Sequence, residues 1–206
     1  LGEEHPSTLA SIHNLASTYR NQGRWKEAEE LEVQVIEISK RVLGEEHPDT
    51  LAGIHSLAST YWDQGRWKEA EELQVQVLEI RKRVLGEEHP NTLLSIHSLA
   101  STYWNQGRWK EAEELQVQVI EISKRVLGEE HPNTLVSMNN FAYTLKSQGR
   151  DDAAIALMKQ VLHLGRHVFG LQHPHFQSSL EALEEWELER STISDSNLSP
   201  ASTICP

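Results

Sequence analysis

The chain has a single cysteine, Cys205, in 206 residues. No internal disulfide can form, and a reducing compartment, the cytoplasm, is the expected setting. Basic residues are scarce: 19 Lys and Arg stand against 31 Asp and Glu, for a net charge of −12 with His neutral. Phosphate backbones and anionic membranes call for a basic field, so nucleic-acid and membrane partners are not expected. No apolar run reaches membrane-spanning length and no signal sequence is visible. GxSxG, HExxH, P-loop and Rossmann glycine patterns are also missing, which argues against an enzyme and against a bound cofactor. The chain opens at Leu1, on a repeat boundary rather than on Met, as a fragment of a larger protein would.

What is present in abundance is self-similarity. Leu43 to Val84 returns almost verbatim as Leu85 to Val126, and the copies differ only at Asp49/Asn91, Ala52/Leu94, Gly53/Ser95, Asp63/Asn105, Leu78/Ile120 and Arg81/Ser123. The opening LGEEHP starts at Leu1, Leu43, Leu85 and Leu127, a constant step of 42 residues, and a degenerate FGLQHP starts at Phe169. A period of this length signals a stack of one supersecondary unit, each copy burying its apolar face against its neighbours. The expected divisions are 1–42, 43–84, 85–126 and a divergent 127–168, then a linker and capping helix over 169–190 and a disordered Ser-rich tail over 191–206.

Within each period two helices are legible. Pro6 suits the first turn of a helix, with His5 just outside it. Leu9, Ile12, Leu15, Ala16 and Tyr19 follow at the spacing of one helix face, and Gly23 is placed to take a left-handed cap. A second helix begins near Arg24-Trp25, carries Ala28, Leu31, Val35, Ile38 and Val42 on one stripe, and stops at Gly44. In the last helix, Leu180, Leu183 and Trp186 share a face. The expected class is all-α: a right-handed α-solenoid of antiparallel helix pairs.

The pattern LA-x2-Y-x3-G-x4-EAE (Leu15, Ala16, Tyr19, Gly23, Glu27, Ala28, Glu29, repeated one and two steps on) resembles the tetratricopeptide repeat. The 42-residue step and the LG-x2-HP-x-TL linker resemble the kinesin-light-chain subtype, over residues 1 to 174. Glu32, Gln74 and Gln116 depart from the pattern, standing where an aromatic is usual. Nearly identical tandem copies are also similar to the carboxy-terminal sensor arrays of fungal NACHT or NB-ARC receptor-like proteins, and point away from a motor subunit.

A second stripe runs beside the core face of each first helix: Ala10, His13, Ser17 and Arg20, then Ala52, His55, Ser59 and Trp62, then Leu94, His97, Ser101 and Trp104, then Val136, Asn139, Tyr143 and Lys146. The resemblance implies that this stripe lines a concave groove that holds peptides. It also implies that Asn14 and Asn140 match the asparagine that holds peptide backbone, which Ser56 and Ser98 replace. We expect Trp62 and Trp104 to act as aromatic anchors, with Arg20 and Lys146 as flanking cations, and hence a protein or peptide partner bearing an aromatic side chain and one or two acids. The alternative is that the two tryptophans pack between first helices. A self-associating scaffold acting through the array ends, and a kinesin-light-chain-type cargo adaptor, are the competing functions.

Other recurrent residues have plainer readings. The linker histidines His5, His47, His89, His131 and His173 are too far from those on the helices to share a metal ion, and caps or turns suit them better. No metal site is expected. The KEAEE segments read as a solvated helix face, with Glu37 and Arg41 spaced as an ion pair. Trp25, Trp67 and Trp109 are expected to pack against the turns.

Overall fold

The computed structural model describes residue 2 and residues 4–197, the last five of them by backbone alone. Among the described residues all regular structure is helical: α1 (Pro6–Asn21), α2 (Trp25–Val42), α3 (Pro48–Asp63), α4 (Trp67–Leu85), α5 (Pro90–Asn105), α6 (Trp109–Val126), α7 (Pro132–Ser147), α8 (Asp151–Val168) and α9 (Pro174–Asn197). The chain divides into two compact units, Leu1–Leu115 and Gln116–Pro206, and the division falls within α6.

Every first helix starts the same way. His5, His47, His89 and His131 hold an extended backbone at the N-cap, and each Nδ1 accepts the backbone N–H two residues on at 3.1 to 3.2 Å. His173 does so for His175 at the start of α9. The imidazole thus replaces the usual Ser or Asp cap, and the proline after it needs no N–H partner. Capping, expected from the sequence, is what these histidines do. The first helices also end alike. Gly65 adopts φ +74°, its N–H donates to the Trp62 carbonyl at 3.0 Å, and that of Arg66 to the Tyr61 carbonyl at 2.9 Å. Only glycine takes that left-handed turn at little cost.

In the first unit each helix packs on the next, α1 through α5, with a further contact between α1 and α3. Ile36, Leu51, Ile54, Leu57 and Val77 form its core cluster, edged by Tyr61, Leu73 and Ile80. Ala16, Ala28, Ala58 and Ala70 have no exposed surface, so the period places its smallest apolar residue where helices approach most closely. One expectation fails at the edge. Leu15 is 43% exposed, against 7% for Leu57 one period on: among the described residues α1 packs chiefly on α2, with a lesser contact to α3, whereas α3 packs between α2 and α4.

In the second unit α8 lies against α7 and α9. Leu145, Ala154, Ile155 and Met158 join Phe176, Leu183 and Trp186 of α9 in one apolar cluster. Helix α9 runs on to Asn197, past the expected end at Arg190. Ser191 and Thr192 do not break it, because their hydroxyls donate to the carbonyls of Leu188 and Glu189, each at 2.8 Å, one turn back. The remainder of the expected disordered tail, with Cys205, lies outside the described residues.

Candidate functional site

The first helices of the first unit are poor in charge. Among them α1 carries Arg20, α3 carries Asp49 and Asp63, and α5 carries no charged residue. Most of the acids sit instead on α2, α4 and the linkers. The stripe predicted from spacing is partly open on these helices. Asn14 is exposed, and His13, Ser17, Arg20, His55, Ser59, His97 and Ser101 are half-buried. Ser59 and Ser101 turn their hydroxyls onto the His55 and His97 carbonyls at 3.0 and 3.1 Å, which leaves them little to offer a ligand as donors.

Trp62 and Trp104 are each 37% exposed, so neither is consumed by packing between helices. Trp62 does not stand alone. Together with Trp25 and Trp67 it lines an open depression of about 520 Å³, edged by Arg20, Asn21, Asp63 and Asn105. Trp25 and Trp67, expected to pack against the turns, stand beside Gly23 and Gly65 in that lining and keep 39% and 37% of their surface exposed.

A repeated clamp fixes those turns. Arg24, Arg66 and Arg108 stack over Tyr19, Tyr61 and Tyr103 at 4.0, 4.0 and 4.1 Å and pair with Glu27, Glu69 and Glu111 three residues on. Arg66 and Arg108 also reach back one period to Glu29 and Glu71, at 2.8 and 2.7 Å. Gln64 and Gln106 donate to the same two carboxylates at 3.0 and 2.9 Å. One acid of the KEAEE segment, Glu29 and its counterpart Glu71, is therefore a joint between repeats, while Glu27, Glu69 and Glu111 pair within their own turns on an open face. Arg41, likewise, pairs with Glu4 and not with Glu37. Because each clamped arginine directly precedes Trp25, Trp67 or Trp109, the clamp sets where those indoles stand.

The cations expected to meet a ligand are both engaged. Arg20 Nε lies 3.6 Å from Asp63. Burial raises the Asp63 carboxyl above its ordinary pKa, with Arg20 opposing. Lys146 bonds Asp151 at 3.2 Å and Glu189 at 2.8 Å, and sits 6.0 Å from the Trp186 ring. Tyr143 meets Trp186 edge-on at 5.1 Å. Helix α9 thus occupies the last two predicted groove positions of the second unit. Asn139 and Asn140 line a small apolar cavity of about 60 Å³ with Leu135, Phe169 and Phe176, and Asn139 Oδ1 accepts the Ser179 hydroxyl at 2.8 Å.

Two buried groups were not read as functional from the sequence. Glu32 is 2% exposed, and among the described residues neither its oxygens nor the Thr60 hydroxyl has a hydrogen-bond partner within reach. One period on, Thr102 donates to Gln74 at 2.7 Å. Burial pushes the Glu32 carboxyl up to about 7; the nearby Thr60 and Arg20 oppose the shift, while Glu29 and Asp63 add to it. The second group is Arg81, buried on α4. Its one signal in the sequence was its place among the six differences between two otherwise identical repeats.

Among the described residues no group of three His, Cys, Asp or Glu side chains is placed to hold a metal, and no helix is long and apolar enough to cross a membrane.

Tetratricopeptide-repeat models match residues 8–49, 50–123 and 92–166. No curated protein matches the chain. Among solved structures, the chain is similar to a Podosopora anserina protein designated a kinesin light chain, with nearly identical TPR-like repeats. Identity is 36%, covering 94% of this chain and 92% of that one, with a TM-score of 0.79. A point-substituted form of that protein matches at 34% identity over 96% and 92%, with a TM-score of 0.80. BtubC (BKLC) from P. vanneervenii, at 18% identity over 97% and 86% and a TM-score of 0.70, shares the fold.

Proposed function

The chain belongs to the tetratricopeptide-repeat family, in the kinesin-light-chain subtype, and on that premise we propose that it binds a peptide segment of a protein partner along its first-helix face, as the sensor or adaptor array of a larger protein. The fold is that of a protein-interaction repeat module, a class that serves as non-catalytic scaffold. The observation that carries the reading is the depression lined by Trp25, Trp62 and Trp67. Three indoles, each more than a third exposed, give a large apolar contact area at low conformational cost, as binding hot spots do. An apolar or aromatic side chain of the partner fills the depression. An acid on that partner competes with Asp63 for Arg20, so aromatic content is expected to govern affinity more than charge.

A peptide-array screen of the protein tests this, with Trp62→Ala/Trp104→Ala as control. Selective capture of aromatic peptides, lost in a control with unchanged helical circular dichroism, is the expected result. Capture that the control retains would remove the tryptophans from the site. The second reading, a self-associating scaffold, is favoured by exposed Leu15 on α1. It requires an apparent mass that rises with concentration in light scattering and falls back in Leu15→Ser.

A further inference from the structure

Arg81 differs from every other arginine of the first unit. Arg20, Arg24, Arg41, Arg66, Arg83 and Arg108 all stand in ion pairs. Arg81 has no carboxylate within ion-pair distance among the described residues, and it is only 5% exposed. A guanidinium does not escape this by losing its proton, and an uncompensated buried charge is costly. The compensation here is partial. Nη1 donates to the Asn91 carbonyl at 3.1 Å and to Ser95 Oγ at 2.8 Å. Ser95 in turn donates to the Asn91 carbonyl at 3.0 Å, so its oxygen is held facing the guanidinium. Nε and Nη2, the edge that binds two oxygens side by side, are used by no acceptor among the described residues. Burial lowers the guanidinium's pKa and no neighbouring acid opposes it.

The arrangement is confined to this joint. Ser39 and Ser123 occupy the Arg81 position one period to either side, and Gly53 occupies the Ser95 position one period earlier. A Cβ at Gly53 would stand 3.1 Å from Ile36 Cγ1, so the preceding joint is closed by apolar packing where this one is polar. On α3, burial keeps the half-buried His55 imidazole neutral, with the Arg81 and Arg20 charges adding to the effect. A neutral imidazole donates an N–H without adding a second charge.

We propose that Arg81, oriented by Ser95 and Asn91, is an oxyanion site: its Nε and Nη2 take the two oxygens of a carboxylate or of a phosphate. Such paired donors make the stronger, geometrically selective class of hydrogen bond. The site stands apart from the peptide-binding reading, since a free ion is enough to reveal it and its failure would leave the tryptophan depression untouched.

The test follows the Arg81 Nε–H and the Ser95 and Asn91 amides by proton–nitrogen NMR. Inorganic phosphate and, separately, acetate are titrated at constant ionic strength against chloride. Arg81→Ser is the first control, because it installs the residue that neighbouring repeats already accommodate; Arg81→Gln, which keeps a polar side chain of similar length, is the second. The wild type is expected to show saturable shifts with phosphate or acetate but not with chloride, weakened about tenfold or more in both variants. Phosphate without acetate would assign a phosphorylated ligand; both together would assign any acidic group. No saturable shift with either anion, or equal shifts in wild type and variants, would overturn the proposal.

Discussion

Trp62 and Lys146 occupy the same place in their first helices, two periods apart, and the surroundings give them opposite fates. Trp62 is open and shares a depression with Trp25 and Trp67. Lys146 is enclosed by Asp151, Glu189 and Trp186, because α9 covers the face that a further repeat would otherwise meet. The position is shared; what differs is whether another element lies over it. The caps and the buried alanines recur because every period needs them. Function is to be sought where the period is broken, or where a face stays uncovered.

The comparison can be broken most severely by truncating one tryptophan of each kind. Trp186 is core, so Trp186→Ala is expected to cost about 3–5 kcal/mol and to lower the thermal midpoint sharply. Trp62→Ala, on an exposed rim, is expected to stay within about 1 kcal/mol. Comparable losses for the two in thermal denaturation would abolish the distinction.

The next effect concerns Glu32, whose counterparts on the following joint are the neutral pair Gln74 and Thr102. The folded carboxyl is pushed up to about 7 from an ordinary value of 4.5, so the folded state holds its proton where the unfolded chain has released it. The contribution to stability is therefore complete below pH 4.5 and is lost as pH rises through about 7. Glu32→Gln should gain about 1–3 kcal/mol over wild type at pH 8 and little at pH 4.5, in urea denaturation. An equal gain at both values would assign the effect to something other than the carboxyl's charge.

A smaller effect is expected at the turn clamp. Arg66→Lys keeps the charge but loses the flat stacking on Tyr61 and the fork that holds Glu29 and Glu69. The expected cost is about 1 kcal/mol. A variant as stable as wild type in the same denaturation would show that charge alone holds the joint.

The helices were legible because two signals coincide in them: a 42-residue period and a 3.6-residue stripe. Pro6 and Gly23 mark the first helix closely, and the histidine caps follow from the same linker. What escaped was set by partners distant in sequence. Glu189 reaches Lys146 from a helix outside the repeating pattern. Glu29 looked solvated because its arginine, Arg66, lies in the next period. Trp25 and Trp67 meet at one depression only once the clamped turns bring them there. That no carboxylate among the described residues pairs with Arg81 is a property of its buried surroundings, where no pattern of letters could announce it.

The most direct test of the account follows the indole N–H resonances of Trp25, Trp62, Trp67, Trp104, Trp109 and Trp186 by NMR as a captured aromatic peptide is added. Binding at the depression predicts saturable shifts of Trp25, Trp62 and Trp67 while Trp186, buried where α9 packs on the second unit's core, holds still. A peptide that moved Trp186 and left those three unchanged would contradict the account and place the binding surface in the second unit.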